Sequence, residues 1–365
     1  MLIRISNKLL PFSISPGVRM IIPYTLWQVQ IFPTKLILEK GKSCSKYDKK
    51  EIIWDIRGPF CFFSAVNDLE KGSIKVYSKN EDGNFFYIIS AKEKNIVIDI
   101  KKIPNSSLSY LIDENRKVIN KGENISLPIN NSDFNLLSYE TTERLCFGVH
   151  KKQQWERVVQ RKDLKEILPI WLRIGQYIPC IDEKKSTILK KCEEAIAKKD
   201  VKNCLKYLMQ TFQTSLSSIV PSIMVPSLVD DQFHGIFTDD NIEEYHPFIL
   251  LKKGSKLIRS LFFQEHGNKL IFFPLKNISS FFPCGRFINI KTDSGIICNM
   301  MFSKRKIHTV TIKTFEPKEI ELCFPSYVKS FRLRKNRRQK GKIYKENSFI
   351  LNMEDSFFIL DRFQK

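Results

Sequence analysis

The sequence has 365 residues, 42% of them hydrophobic, with 60 Lys and Arg against 39 Asp and Glu. This length exceeds what one ordinary hydrophobic core organises and predicts two or three domains, while the hydrophobic content excludes an intrinsically disordered chain. Nine scattered Cys without a CxxC pair exclude the usual zinc motifs and favour a reduced, cytoplasmic protein, and no apolar stretch reaches the ~18 residues that a membrane helix requires.

Residues 1–140 consist mostly of short runs that alternate apolar and polar residues. WQVQIF, SIKVYS and NFFYIIS have the period of two that strands show. Turn signals separate the runs, among them Asp82-Gly83 and Lys121-Gly122. Regularly spaced short strands are typical of antiparallel sandwiches and barrels. The range 1–140 is therefore predicted to form an N-terminal antiparallel β-sandwich-like domain.

Near residue 141 the hydrophobic period changes to that of helices. Asp163 and Glu166 have the spacing of a capping box, and Asp200 is placed to cap a further helix. Pro169 must kink or divide the helix in which it lies. Helices are predicted over 153–177, 182–199, 200–216 and 252–266. The range 141–268 is therefore predicted to form a short α-helical middle domain.

Strand-like runs return from residue 269. Seven short runs, from KLIFFPL at 269–275 to SFFILDRF at 356–363, follow each other within fewer than a hundred residues. They predict a C-terminal β-sandwich over 269–365. The predicted fold class is therefore α+β and multidomain, with β-sandwich-like domains on either side of a helical middle.

The junction between the predicted helical and C-terminal domains, residues 262–312, contains a set of spaced motifs. The set comprises Gln264, His266 and Gly267, the run IFFPL at 271–275, Pro283-Cys284-Gly285 and Gly295. In this arrangement the junction resembles the one between the helical toroid and the C-terminal sandwich in inverting α-L-fucosidases and related (α/α)6-toroid glycoside hydrolases. The resemblance implies a carbohydrate-associated, glycoside hydrolase-like protein. It also implies that the motif residues form a turn, a strand end and a hairpin.

Two features set this sequence apart from that family. Ile249 occupies the position of the family's catalytic Asp, about fifteen residues before Gln264. The range 141–268 is also too short for a toroid, because twelve helices of ~11 residues with loops of ~4 to 6 residues require roughly 200 residues. The resemblance therefore leaves two alternatives open, an active glycoside hydrolase of inverting type and a degenerate, inactive relative.

An acidic segment lies within residues 207–251, which contain no Lys or Arg. Its two acidic clusters offer the pair of carboxylates that glycoside hydrolysis requires. The absence of ammonium groups nearby in the sequence favours a protonated general acid. The candidate catalytic residues are Asp231 and Asp240, and the candidate substrate-binding residues are Asp230, Phe233, His234 and Asp239.

The acidic segment has two other interpretations. Asp-Asp and Asp-Asn pairs favour turns and helix N-caps, and Asp240 with Glu243 has the spacing of a capping box. Oxygen-rich clusters also suit a divalent cation, but no EF-hand spacing is present and no metal is assigned. A polar structural loop, a sugar or catalytic site and a divalent-metal site therefore all remain open.

The basic excess is concentrated at the C-terminal end, where residues 271–365 carry 19 basic and 8 acidic side chains. The stretch 329–345 contains nine basic residues and no acid, and its alternation predicts a hairpin with a positive turn. No aromatic RNA-binding motif, zinc finger or helix-turn-helix accompanies it, and a solvated hairpin is the alternative. The candidate residues for binding nucleic acid or another anionic polymer are Arg332, Arg334, Arg337, Arg338 and Lys340.

Three functions are therefore expected from the sequence. The leading one is a carbohydrate-associated protein whose partner is a glycan or a small sugar. The second is a nucleic-acid-binding protein that uses the basic hairpin, and the third is a structural scaffold. Because neither GxxxxGK nor GxGxxG is present, no nucleotide cofactor is expected. The sequence predicts no membrane partner and leaves the oligomeric state open.

Overall fold

The computed structural model describes residues 12–14, 16–17, 19–40, 49–134, 142–148, 154–179, 187–213, 247–353 and 357–364. The chain has the predicted α+β fold, in which two β-sandwich-like domains accompany a short helical region. The predicted domain limits near residues 140 and 268 stay a prediction.

The N-terminal domain consists of two facing antiparallel sheets. Its strands are β1 (Phe12–Ile14), β2 (Arg19–Ile21), β3 (Trp27–Ile31), β4 (Lys35–Lys40), β5 (Lys49–Trp54), β6 (Phe60–Asp68), β7 (Ser73–Asn80), β8 (Gly83–Lys92), β9 (Asn95–Lys102), β10 (Ser107–Ile112), β11 (Asn115–Asn120) and β12 (Asn124–Pro128). The sheet orders are β1-β6-β7-β8-β9-β12 and β11-β10-β5-β4-β3-β2. Trp54 of one sheet meets Phe85 and Tyr87 of the other, with ring centroids 5.2 and 5.5 Å apart. The predicted period-two runs therefore supply the facing apolar sides of a sandwich.

The helical region begins with two helices that meet near Lys162. The helices are α1 (Trp155–Arg161), α2 (Leu164–Tyr177), α3 (Thr187–Ala197), α4 (Val201–Thr211) and α5 (Pro247–Phe262). Helix α1 ends before Lys162, where φ is 50°, and Pro169 lies inside α2. As predicted, the Asp163 carboxylate caps α2 by accepting from the Lys165 amide at 3.0 Å. Glu166 does not complete a capping box, because it pairs with Arg161 at 2.7 Å.

Asp200 caps α4 as predicted, accepting from the Asn203 amide at 3.1 Å. Over the residues that the structure describes, no helix combines the length and the apolar character needed to cross a membrane.

Helices α2 and α5 pack closely because glycines line their contact. A Cβ atom added at Gly175 would lie 2.3 Å from the Leu251 carbonyl oxygen. A Cβ atom added at Gly254 would lie 2.2 Å from Cζ2 of Trp171. Since ordinary carbon contacts are ~3.5 to 4.0 Å, neither position has room for a side chain. The two glycines therefore set the distance between the helices.

A buried ionic cluster attaches α2 to the N-terminal sandwich. Arg173 is 1% exposed, and it donates to Glu70 at 3.1 Å and to the Thr142 hydroxyl. Glu70 lies between β6 and β7, and its other oxygen is 3.4 Å from Arg144. A buried charge is tolerated only when it is paired, so these ion pairs fix the position of α2 against the N-terminal sandwich.

The C-terminal domain contains a seven-stranded and a four-stranded sheet. Its elements are β13 (Arg144–Cys146), β14 (Phe263–His266), β15 (Lys269–Phe272), α6 (Ile278–Phe281), β16 (Gly285–Lys291), β17 (Ile297–Ser303), β18 (Lys306–Lys313), β19 (Lys318–Cys323), β20 (Ser330–Arg334), β21 (Lys342–Tyr344), β22 (Ser348–Met353) and β23 (Phe357–Gln364). The sheet orders are β13-β16-β17-β18-β23-β20-β21 and β14-β15-β19-β22, and β15 pairs with β19 in parallel. Strand β13 precedes the helices in the chain and nevertheless joins the last domain.

Candidate nucleic-acid interface

The predicted basic hairpin exists, and it lies at the edge of the seven-stranded sheet. Strand β20 pairs with β21 in antiparallel register, so that Arg332 lies opposite Ile343. Side chains fix the turn that joins the strands. Asn336 Oδ1 accepts from the amides of Arg338 and Gln339 at 3.0 Å each. Asn side chains that bond to following amides are common turn formers, so the turn has a defined conformation.

Gly341 is required where the turn returns to β21. Its φ is 75°, and an added Cβ would lie 2.5 Å from the Leu333 carbonyl oxygen. Only glycine adopts this backbone at such a close approach without strain. The sequence placed a turn here, and the structure shows how closely the two strands meet.

Two of the candidate arginines are bound within the protein. Arg332 donates to both oxygens of Asp361 at 2.7 and 2.9 Å, and Arg334 donates to Oδ2 at 2.5 Å. Arg334 also donates to the Arg337 carbonyl at 2.7 Å. Burial alone would raise the pKa of Asp361, but its hydrogen bonds and the two positive charges hold that pKa below its usual value. Arg332 and Arg334 are therefore placed to position the hairpin.

The basic side chains from Lys335 to Lys345 are exposed to solvent. The exposed set, called the basic tip from here on, is Lys335, Arg337, Arg338, Lys340, Lys342 and Lys345. Within the described part of the chain, none of the six forms a salt bridge. Three of the predicted anion-binding residues, Arg337, Arg338 and Lys340, belong to this set. An unneutralised cluster of one sign attracts polyanions and concentrates them at the surface.

An aromatic cavity of about 700 Å³ lies beside the basic tip, between the hairpin and β22. Its walls include Tyr344 and Phe349, whose ring centroids are 4.2 Å apart, and Phe358. Two lysines of the tip lie over these rings, with Lys335 Nζ 5.9 Å from the Phe358 centroid and Lys342 Nζ 5.3 Å from that of Tyr344. Aromatic side chains next to a basic groove are the combination that binds single-stranded nucleic acid.

Sequence reasoning missed this cavity because β22 was not predicted. The run SFILNM at 348–353 was the only signal, and its residues form the edge strand of the four-stranded sheet. Strand β22 directly follows the hairpin in the chain, but its pairing with β19 of the other sheet, which places it across the cavity from the hairpin, is not encoded locally. The pairing of Phe349 with Tyr344 is decided by the sandwich.

The predicted sugar-site residues lie outside the described residues. They are Asp230, Asp231, Phe233, His234, Asp239 and Asp240. Whether these carboxylates line a site stays a prediction. Ile249, which was expected at the position of the family's catalytic Asp, lies within α5 and is 5% exposed, so it is an apolar core residue.

The junction motif residues lie in strands, turns and a hairpin, but the predicted helix over 252–266 ends at Phe262 and is followed by strand β14. Gln264 and His266 lie in β14, and Gly267 forms the following turn with a φ of 59°. Gly285 begins β16, and Gly295 forms the hairpin to β17 with a φ of 83°. No protein-family model matches this sequence, and no curated protein shows significant similarity to it.

Proposed function

We propose that this protein binds nucleic acid through the basic tip. The observation that carries the proposal is an ordered hairpin whose residues 335–345 carry six exposed cations and no acid, while Asp361 neutralises only the two arginines at its base. Each cation that contacts a phosphate releases counterions, which makes such binding favourable and salt-dependent. Arg337, Arg338 and Lys340 are the central contacts, because they lie within the turn.

Single strands are the preferred form in this proposal. Unpaired bases have open faces that stack on aromatic rings, and Tyr344 and Phe349 lie beside the tip in the cavity. A duplex keeps its bases stacked inside the helix and offers only its backbone to the tip. The seven described cysteines form no disulfide, which supports a reducing, cytoplasmic location as part of the same proposal.

Fluorescence anisotropy with a labelled single-stranded RNA of about 12 nucleotides tests the tip. If all six cations contact phosphate, the slope of log affinity against log salt is about 4, since each contributes roughly 0.7 on a single strand. Changing Arg337, Arg338 and Lys340 to Ser should lower that slope by about 2. The matched control changes Lys94, Lys117 and Lys121, exposed residues of the N-terminal domain, to Ser. Equal loss in both triple variants would overturn the proposal.

The aromatic part has a separate test. Changing Tyr344 and Phe349 to Leu keeps the apolar volume and removes the rings. Because stacking contributes about 1 to 3 kcal/mol per base, single-strand affinity should fall at least about fivefold. Duplex affinity should stay unchanged. If duplex RNA and heparin bind as tightly as single strands and the ring variant changes nothing, the single-strand preference is wrong.

A carbohydrate-associated protein is the second candidate. It is supported by the backbone arrangement of the junction, in which Gly267 and Gly295 form the turns that the resemblance to inverting α-L-fucosidases implies. Buried Ile249 argues against hydrolysis through that position, so the candidate is a glycan-binding relative. A glycan and fucoside array compared between the wild type and the Asp231→Asn and Asp240→Asn variants tests it. Identical binding by all three proteins would exclude a role for the acidic segment.

A further inference from the structure

A second cavity of about 700 Å³ opens on the C-terminal domain and shares no lining residue with the aromatic cavity. It lies between the segment that joins β15 to α6, the loop after β19 and the end of α3. Its basic lining residues are Lys199, Lys276 and Arg305, and no Asp or Glu lines it. The volume is in the range of small-molecule sites, about 300 to 1,000 Å³.

Three turns that are distant in the sequence bring these cations to one cavity. Lys199 lies in the turn after α3 with a φ of 57°, and its amide donates to the Ile196 carbonyl at 2.9 Å. Arg305 lies in the β17–β18 turn with a φ of 61°, and its amide donates to the Pro283 carbonyl at 2.9 Å. Lys276 precedes Asn277, whose φ is 67°. At Lys199 and Arg305, the left-handed backbone and the amide hydrogen bond fix the position of the Cα atom from which the side chain extends.

The charges at this cavity are not balanced by described partners. Within the described ranges, Lys199, Lys276 and Arg305 form no salt bridge. A concave surface lined by one sign of charge focuses the field and attracts the opposite sign. A buried or partly enclosed anion would relieve the repulsion among the three cations. The charge therefore favours an anionic occupant over a neutral one.

The rest of the lining favours a ligand that also makes hydrogen bonds. Hydroxyl and amide groups come from Ser279, Ser280, Ser326, Asn277 and Asn347. These groups donate and accept, as hydroxyl-bearing ligands require. Two of the lining rings, Phe272 and Phe324, are buried against each other with centroids 5.3 Å apart, so their faces are not available to a ligand.

Strained backbone lies at the same place. Phe273 has a φ of 51°, which is rare for a bulky residue, and it lines the cavity. Its ring is held by Phe302 at 4.9 Å. Left-handed bulky residues persist only where the surroundings impose them, and they are concentrated at binding sites.

We propose that this cavity binds a small phosphate ester of a polyhydroxylated molecule, a sugar phosphate. The cations hold the phosphate, for which Lys and Arg are the common protein partners. The serine hydroxyls and asparagine amides hold the sugar hydroxyls. The site is independent of the basic tip, so its test does not depend on nucleic-acid binding.

Isothermal titration calorimetry of the full chain with glucose 6-phosphate, inorganic phosphate and glucose tests the proposal. Glucose 6-phosphate should bind more tightly than phosphate, and glucose should not bind. Changing Lys199, Lys276 and Arg305 to Gln should weaken glucose 6-phosphate at least about tenfold. RNA binding should stay at the wild-type level.

The matched control changes Lys198, Lys304 and Lys306 to Gln. These exposed residues flank the cavity residues in the chain and do not line it. An equal loss in the control variant would overturn the site, because it would attribute binding to net charge. No binding of glucose 6-phosphate at ~10 mM would also overturn it. Thermal melting of both variants verifies that each is folded.

Discussion

Replacing Gly254 by Ala should destabilise the helical region, and Trp171 should be the reason. The added methyl group would lie 2.2 Å from Cζ2, 2.4 Å from Cε2 and 2.5 Å from Nε1 of the Trp171 ring. An ordinary contact requires ~3.5 Å or more, so atoms must move by more than ~1 Å. The Trp171 side chain is 1% exposed and belongs to the hydrophobic core, so the ring cannot turn out into solvent to relieve the overlap.

The expected magnitude follows from two opposing effects. Overpacking a filled core by one methyl group costs about 1 to 3 kcal/mol. Ala in a helix interior is favoured over Gly by about 1 kcal/mol. Because the overlap involves three atoms of a rigid ring, the upper part of the first range applies. The Gly254→Ala variant should therefore lose about 2 kcal/mol of unfolding free energy.

A second substitution distinguishes this explanation from a general intolerance of α5 to any added side chain. Trp171→Leu removes the ring atoms that meet the new methyl group, so only the helix-propensity gain remains and Gly254→Ala in that background should cost about 3 kcal/mol less than in the wild type. Gly175→Ala is the matched control, because its nearest neighbour is the Leu251 carbonyl oxygen, at 2.3 Å. Trp171→Leu should not reduce the unfolding free energy that Gly175→Ala costs.

Urea unfolding followed by the helical circular dichroism signal measures the wild type, the three single variants and the two combinations with Trp171→Leu. Additivity of Gly254→Ala and Trp171→Leu within about 0.5 kcal/mol would refute the reasoning. An equal reduction in the cost of Gly175→Ala would refute it as well, since that position meets the Leu251 carbonyl oxygen and Ser255 and not the ring.

Two further predictions concern ion pairs. Asp361→Asn should raise the salt slope of RNA binding by about 0.7 for each arginine that it releases, as anisotropy would show. The pKa of Asp361 is lowered in the folded protein, so its stabilising effect is present above the ordinary carboxyl pKa of ~4 and is lost as the pH falls through the lowered value. Melting temperatures of the wild type and Asp361→Asn should therefore converge below about pH 4, and a constant difference down to ~3 would contradict this. Arg173→Met should cost about 3 kcal/mol in urea unfolding, because it removes one of the two arginines that compensate partly buried Glu70; a loss under about 1 kcal/mol would mean that Arg144 suffices alone.

The sequence predicted most elements whose signal is local. Alternation identified strands such as β7 and β8, and the period change near 141 identified the helices. Asp163 and Asp200 act as N-caps because capping involves residues only two or three positions away. Glu166 was wrongly expected to complete a capping box, since Arg161 offered a stronger, charged partner.

What the sequence left undecided depends on pairing between distant residues. Strand β13 was missed because three residues carry little periodicity, and β22 because SFILNM lacks a strict alternation; they exist through pairing with β16 and β19. Strand β14 was wrongly predicted as the end of a helix, and it exists through pairing with β15. The register of β20 against β23 decides which hairpin arginines bind Asp361 and which face solvent.

The sequence by itself determined the strands, the helices and a basic turn, because period, caps and turn residues act over a few positions. Only the tertiary structure decided which charges are neutralised and which cavities form. Lys276 and Arg305 lie more than seventy positions after Lys199 in the sequence, yet all three residues line one cavity. Such proximity results from packing across the chain, which no local pattern encodes.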